Sequence, residues 1–136
     1  DINYGTMVQV EDVANRLLAT DEDITFSGGD PMFQIEAFAE LASIIKAKSN
    51  KNIWCYTGYT FEQLLRNNKS LELLKNIDVL VDGRFIEEQK DKEILFRGSK
   101  NQRLIDVQQS LKLGEIVTYQ PIGLLSPLLM KYKIHA

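Results

Sequence analysis

The stretch Thr25-Phe26-Ser27-Gly28-Gly29-Asp30-Pro31 joins the end of an apolar run to a loop that carries two adjacent glycines and a carboxylate. The β-branched and aromatic residues at 24–26 predict a strand that ends in the Gly-Gly-Asp-Pro turn. Glycine has no Cβ, so the backbone of this loop can approach a ligand closely, and Asp30 can supply a negative charge. The stretch therefore predicts a strand followed by a binding loop for a small charged ligand.

Strand and helix patterns alternate on both sides of this loop. A helix is predicted before it, and a second one runs from about Gln34 to Lys48 after it. The runs 53–56 and 77–81 are the next predicted strands, and Thr60-x-x-Gln63 predicts the start of a short helix between them. This alternation predicts an α/β fold with a parallel sheet of βα units.

Small polar or charged residues follow each of the three predicted strands. Ligands of parallel α/β sheets bind beyond the carboxyl ends of the strands, so we expect these residues to converge on one rim. The three segments are Ser27-Gly28-Gly29-Asp30, Thr57-Gly58-Tyr59 and Asp82-Gly83-Arg84.

Beyond Arg84 the pattern weakens. Arg97 and Arg103 flank a Gly-Ser turn, which could hold a carboxylate or a phosphate, or could be an exposed turn with solvated arginines; the residues alone favour the exposed turn. The run 104–107 fits a strand or a helix, 116–119 predicts a final strand, and His135 is expected at a frayed end.

Composition predicts one domain over residues 1–136 and excludes several classes of protein. The net charge of −3 gives no basic surface for nucleic acid or an anionic membrane, and no apolar run is long enough to span a bilayer. We therefore predict no nucleic-acid partner, no membrane partner and a cytoplasmic setting. The single cysteine, Cys55, excludes an internal disulfide and is expected to be a buried structural thiol.

Four ordered segments together resemble the activating proteins of anaerobic (class III) ribonucleotide reductases, in the radical S-adenosylmethionine superfamily. Together they span most of the chain between Ile24 and Asp106. The resemblance implies a partial (β/α) barrel. The matching segments are 25–34, 53–60, 77–85 and 96–103.

The resemblance also implies roles for residues at the strand ends. Ser27, Gly28, Gly29 and Asp30 match the element that holds the methionine amino group of S-adenosylmethionine. Thr57 and Asp82 match positions near the cofactor, where some relatives arrange oxygen ligands for a monovalent cation. Arg84 stands where most of the family has proline. Two roles stay open for it: it could face the cofactor carboxylate or the glycine loop of the partner, or it could be a surface arginine.

The implied activity is reductive cleavage of S-adenosylmethionine to a radical that removes hydrogen from a glycine of the reductase large subunit. A [4Fe-4S] cluster and an electron donor such as flavodoxin are implied with it. The family binds its cluster through a Cys-x-x-x-Cys-x-x-Cys loop, which these 136 residues do not contain. We therefore expect a fragment of the barrel without its cluster-binding strand and loop, inactive by itself.

Two alternatives stay open at this point. The chain could be a non-catalytic α/β module that binds a nucleotide or nucleoside or serves as an interaction domain, although it lacks the glycine-rich nucleotide fingerprints. It could also come from the activator of another glycyl-radical enzyme, since such activators share the cofactor machinery.

Overall fold

The computed structural model describes residues 7–120 and 133–135. Within these ranges five α-helices and five β-strands alternate along much of the chain. The helices are α1 Met7–Leu18, α2 Ile35–Lys48, α3 Phe61–Leu65, α4 Asn68–Leu74 and α5 Val107–Leu113; the strands are β1 Asp23–Phe26, β2 Ile53–Tyr56, β3 Val79–Asp82, β4 Arg103–Asp106 and β5 Lys133–His135.

The strands form one sheet in the order β4-β3-β2-β1-β5. β1, β2 and β3 are mutually parallel, as predicted, and β5 runs parallel to β1. The prediction of a wholly parallel sheet is wrong at β4, which pairs antiparallel with β3. A parallel return needs a long crossover, usually a helix, whereas 83–102 contains only a short 3₁₀ turn at Glu87–Gln89.

The two faces of the sheet are covered differently, because successive side chains of a strand point to opposite faces. Ile53 and Cys55 of β2 belong to the larger core, which also takes residues from all five helices. Trp54, between them in sequence, belongs to a smaller cluster on the opposite face. Loop residues Phe96 and Tyr119 pack against that cluster. The described helices therefore cover one face, and aromatic loop residues cover part of the other.

Local sequence signals explain the helices on the first face. The periodic apolar residues of α2 are all buried, and they are Phe38, Leu41, Ala42 and Ile45. The predicted capping box of α3 is confirmed: Thr60 Oγ1 accepts from Gln63 N, and Gln63 Oε1 accepts from Thr60 N at 2.8 Å. This box begins α3 directly after the loop that follows β2.

Two sequence expectations near the C-terminal end are wrong. The run 116–119 is not a full strand, because it makes one isolated antiparallel bridge, between Thr118 and Ile105. The backbone of His135 is not frayed, because His135 pairs with Thr25 of β1 as part of β5. A strand of three residues carries too few positions for a period-2 pattern to be visible in the sequence.

None of the helices in the described part of the chain is long and apolar enough to cross a membrane.

Candidate functional site

The three strand ends converge, as the sequence predicts, on a cleft of about 210 Å³. The loop after β1, the loop after β2 and the turn after β3 all contribute to its walls. We call it the strand-end cleft. It is lined by Gly28, Asp30, Tyr56, Thr57, Gly58, Gly83, Arg84, Phe85 and Gln102.

Asp30 joins the loops after β1 and β2. Its Oδ1 accepts from the Met32 backbone N–H at 3.0 Å, and its Oδ2 accepts from the Gly58 backbone N–H at 2.8 Å. The Thr57 hydroxyl also donates to the carboxylate, with Oγ1 3.0 Å from Oδ1. All three donors are neutral, and a carboxylate offers about four lone-pair sites, so Asp30 keeps both a net charge and room for another donor.

The glycine pair before Asp30 leaves its backbone accessible. Gly28 has φ of +95°, a conformation that L side chains rarely adopt, so glycine is needed at this turn. A Cβ built at Gly28 or Gly29 would meet no protein atom within 4 Å, and both residues are exposed. Ser27, half-buried, leads from β1 into this loop. A ligand can therefore reach the main chain here without displacing protein.

Asp82 is placed beside the cleft and does not line it. Its side chain is 1% exposed and accepts from the Phe61 backbone N–H at 2.8 Å. Arg103 donates to both of its carboxylate oxygens, through Nε at 3.0 Å and through Nη2. Asp82 thus fixes the end of β3, while the next two residues, Gly83 and Arg84, reach the cleft. A contact of Asp82 with a cofactor or cation stays a prediction.

Arg103 makes a second ion pair on its outer side. Its Nη2 lies 2.6 Å from Oε1 of Glu62, the second residue of α3. Hydrogen bonds to Asp82 and then Glu62 raise the pKa of Arg103 further above its usual value. The same hydrogen bond from Arg103 lowers the pKa of Glu62. The prediction of a solvated arginine is therefore wrong for Arg103, because a buried carboxylate binds it.

Sequence reasoning gave no role to the amides that brace the cleft. Gln102 donates through Nε2 to the Gly83 carbonyl at 2.9 Å, and its Oε1 accepts from the Gly98 N–H at 2.8 Å. Asn101 donates through Nδ2 to the Arg84 carbonyl at 2.8 Å. The turn at 98–102 therefore holds the main chain of residues 83–84 in place. The sequence signal for this role is the pair of adjacent amide residues in the run 96–103.

The residues of this chain do not form a site for a [4Fe-4S] cluster, which is held by several cysteine thiolates. Cys55 is the one cysteine, and it is fully buried in β2, as predicted. Burial raises the pKa of its thiol well above the usual value, and the nearby charge of Asp30 raises it further. Among the described residues, no group of three or more His, Cys, Asp or Glu side chains is placed to hold a metal ion.

The fold and the cleft define an α/β protein in which three glycine-containing strand ends line one cleft. The chain belongs to the 4Fe-4S single cluster domain family, whose family model matches residues 2–105.

Several similar proteins carry the name anaerobic ribonucleoside-triphosphate reductase-activating protein. The chain is 40% identical over 103 residues to the one from Enterobacteria phage T4, covering 73% of this chain and 63% of that protein. It is 44% identical over 82 residues to the one from Vibrio cholerae, covering 58% and 52%. It is 37% identical over 84 residues to the one from Escherichia coli K12, covering 60% of this chain and 53% of that protein.

The chain thus spans about half to two thirds of the length of these relatives. The comparison with solved structures found no match.

Proposed function

We propose that this chain is the S-adenosylmethionine-binding part of an activating protein for an anaerobic ribonucleotide reductase. The observation that carries the proposal is the strand-end cleft, which Gly28, Gly58 and Gly83 line together with Asp30. The names of the relatives support the target enzyme. The sheet would then be one part of a partial (β/α) barrel.

The chemistry of the cleft suits the methionine end of this cofactor. An α-ammonium group needs acceptors, and it gains most from an anionic one, because charge-assisted hydrogen bonds are the stronger kind. Among the described residues, Asp30 has neutral donors only and keeps acceptor capacity, so the ammonium would complete its coordination. The carbonyls of the exposed Gly28-Gly29 pair lie in the same loop and would be further acceptors for the ammonium group.

Each group of the cleft has a separate task in the proposed reaction. Asp30 and the glycine carbonyls hold and orient the amino acid end, and Arg84, an exposed residue of the same lining, supplies a cation for a carboxylate. One-electron reduction of bound S-adenosylmethionine, with methionine as the leaving group, would supply the radical that removes a hydrogen atom from a glycine of the reductase. An electron donor such as flavodoxin and a cytoplasmic setting belong to the same proposal.

The test is a titration of the isotope-labelled 136-residue chain, followed by the amide NMR signals of Gly28, Gly58 and Gly83. S-Adenosylmethionine and S-adenosylhomocysteine share the ammonium group, whereas 5′-deoxy-5′-methylthioadenosine lacks the amino acid end. We expect the first two ligands to shift these signals in a saturable way, and methylthioadenosine to bind at least about tenfold more weakly, since one charge-assisted bond of about 1.5–3 kcal/mol is lost.

Gly29→Ala supplies a matched variant. A Cβ there meets no protein atom within 4 Å, so the free energy of unfolding should change by less than about 0.5 kcal/mol. The affinity for the ligand should fall, because the added methyl group occupies space beside the loop that the ligand would use. Methylthioadenosine binding as tightly as S-adenosylmethionine would refute recognition of the amino acid end. ATP binding tightest at the same signals would favour the nucleotide-binding module instead.

A further inference from the structure

Besides supporting the strand-end cleft, the run 96–103 contributes residues to a second cleft. Its polar side chains mostly have partners within the protein. Asn101 and Gln102 hold the main chain of 83–84, and Ser99 Oγ lies 2.6 Å from Asn101 Oδ1. Arg103 is matched by two carboxylates. Of the two remaining charged side chains, Lys100 is exposed to solvent, whereas Arg97 is half-buried and has an incomplete set of partners.

Arg97 is held close to the sheet with part of its guanidinium unsatisfied. Its Nη1 donates to the Gln102 carbonyl at 3.1 Å, yet its Nε is buried and has no hydrogen-bond acceptor among the described residues. No ion pair within the described part of the chain includes it. A buried donor without an acceptor costs about 1–3 kcal/mol, so this position is one that a ligand could stabilise.

The residue before Arg97 has a strained backbone. Phe96 has φ of +69°, which is uncommon for a residue with a bulky side chain. Its ring packs edge to face on Trp54, with centroids 5.1 Å apart, and its carbonyl accepts from the Tyr56 hydroxyl at 2.8 Å. These two contacts hold a conformation that would otherwise be disfavoured, and they fix where Arg97 leaves the main chain.

Arg97 lines a second cleft of about 380 Å³, between the 94–97 loop and the segment 118–120. The Thr118 hydroxyl accepts from Gln120 Nε2 at 2.9 Å, which leaves its own hydrogen able to donate into the cleft. Among the residues that the structure describes, the lining contains two arginines and no carboxylate: Ile94, Leu95, Arg97, Arg103, Leu104, Thr118, Tyr119 and Gln120. We call it the Arg97 cleft.

We propose that the Arg97 cleft binds an oxyanion group of a ligand, a carboxylate or a phosphate, through the Arg97 guanidinium. The planar guanidinium offers donors in a fixed fork that matches two oxygens of such a group, and the oxyanion would give the buried Nε its acceptor. Since the charge of Arg103 is already matched by Asp82 and Glu62, the net positive charge comes from Arg97. No described residue lines both this cleft and the strand-end cleft, and the proposal does not rest on the function proposed for the strand-end cleft.

The test follows the Arg97 side-chain Nε–H signal by NMR in the 136-residue chain. Inorganic phosphate and acetate are titrated separately, and sodium chloride at matched ionic strength is the reference. We expect one of the two oxyanions to shift this signal in a saturable way, and the one that does so identifies the group as phosphate or carboxylate. No saturable shift with either oxyanion, or an equal shift with chloride, would overturn the proposal.

Variants separate a site from general charge screening. Because the Arg97 variants lack this Nε–H, their affinities are read from the backbone amide signals of Thr118 and Tyr119, which line the same cleft. Arg97→Gln should weaken binding of the oxyanion at least about tenfold, and Arg97→Lys should bind it with intermediate affinity, because lysine keeps the charge and loses the fork. Arg66→Gln removes an equal charge from an exposed position and should bind like the wild type. Circular dichroism checks the fold of each variant, and equal affinity in Arg97→Gln and Arg66→Gln would count against the site. The wild-type titration stands independently of how well any variant folds.

Discussion

Asp30 combines a structural task with the one expected of a ligand-binding group. Its carboxylate ties the loop after β1 to the loop after β2, through Thr57 and Gly58. The bonds that position it come from neutral groups, so holding the loops together does not neutralise its charge. A cation can therefore be recognised by a carboxylate that is already fixed in place, which lowers the entropy lost on binding.

Thr57 is where this arrangement can be tested without changing a charge. Its side chain is buried, its hydroxyl donates to Asp30, and its Oγ1 accepts from the Tyr59 N–H at 3.2 Å. Thr57→Val keeps the shape and removes the hydroxyl, so we expect the free energy of unfolding to fall by about 1.5–3 kcal/mol. Urea unfolding followed by circular dichroism measures the change.

Thr57→Ser is the matched control. It keeps the hydroxyl and loses one methyl group, for which we expect about 0.8 kcal/mol. If valine and serine destabilise the protein equally, the hydrogen bond to Asp30 does not contribute to stability in the way inferred.

At the scale of elements, Arg103 connects three pieces of secondary structure. It is the first residue of β4, and it contacts Asp82 at the end of β3 and Glu62 in the first turn of α3. Asp82 in turn accepts from the N–H of Phe61, the first residue of α3. The antiparallel edge strand and the short helix are thereby fixed to the same strand end that leads into the cleft.

Arg103→Met should destabilise the protein strongly, because it leaves the Asp82 carboxylate buried with a single donor in the described part of the chain, the Phe61 N–H. Breaking one side of a buried pair costs about 3–5 kcal/mol, and chemical denaturation measures it. Glu62→Gln removes the half-exposed partner of the same arginine and should cost no more than about 1 kcal/mol. If both variants lower the free energy of unfolding by similar amounts, the buried ion pair contributes no more to stability than the half-exposed one.

The elements were predictable where one local rule decided them, and not where contacts distant in sequence decided. The apolar spacing of α2 and the capping box of α3 are local, and both are confirmed. The direction of β4 depends on what lies in the connection after β3, and no local pattern near 103–106 records it. Likewise, the partners of Arg103 come from positions 62 and 82, which the sequence near Arg103 does not reveal.

The same distinction applies to the candidate site. The convergence of three strand ends follows from the rule for parallel strands and could be predicted. The division of labour there could not, because Asp30 and Asp82 look alike in sequence, each a carboxylate beside glycine at a strand end. Three neutral donors bind the first and an arginine binds the second.

At the scale of the whole molecule, helices cover one face of the sheet while the other carries the Trp54 cluster. The strand-end cleft lies beyond the carboxyl ends of β1, β2 and β3, and the Arg97 cleft lies near β4. The run 96–103 contributes to both, through Gln102 in one and Arg97 in the other. A change in this run can therefore affect both clefts, and a signal from within each cleft is needed to tell the two effects apart.

The family assignment and the cysteine content raise the question of how much iron these 136 residues bind. The family is that of a 4Fe-4S single cluster domain, yet the chain has one cysteine, buried in β2. We expect anaerobic reconstitution of these 136 residues with iron and sulfide to give no stoichiometric cluster, as measured by iron analysis and visible absorbance. Cys55→Ser should bind the same small amount of iron as the wild type. About four irons per chain, lost in Cys55→Ser, would contradict the prediction and make Cys55 a ligand.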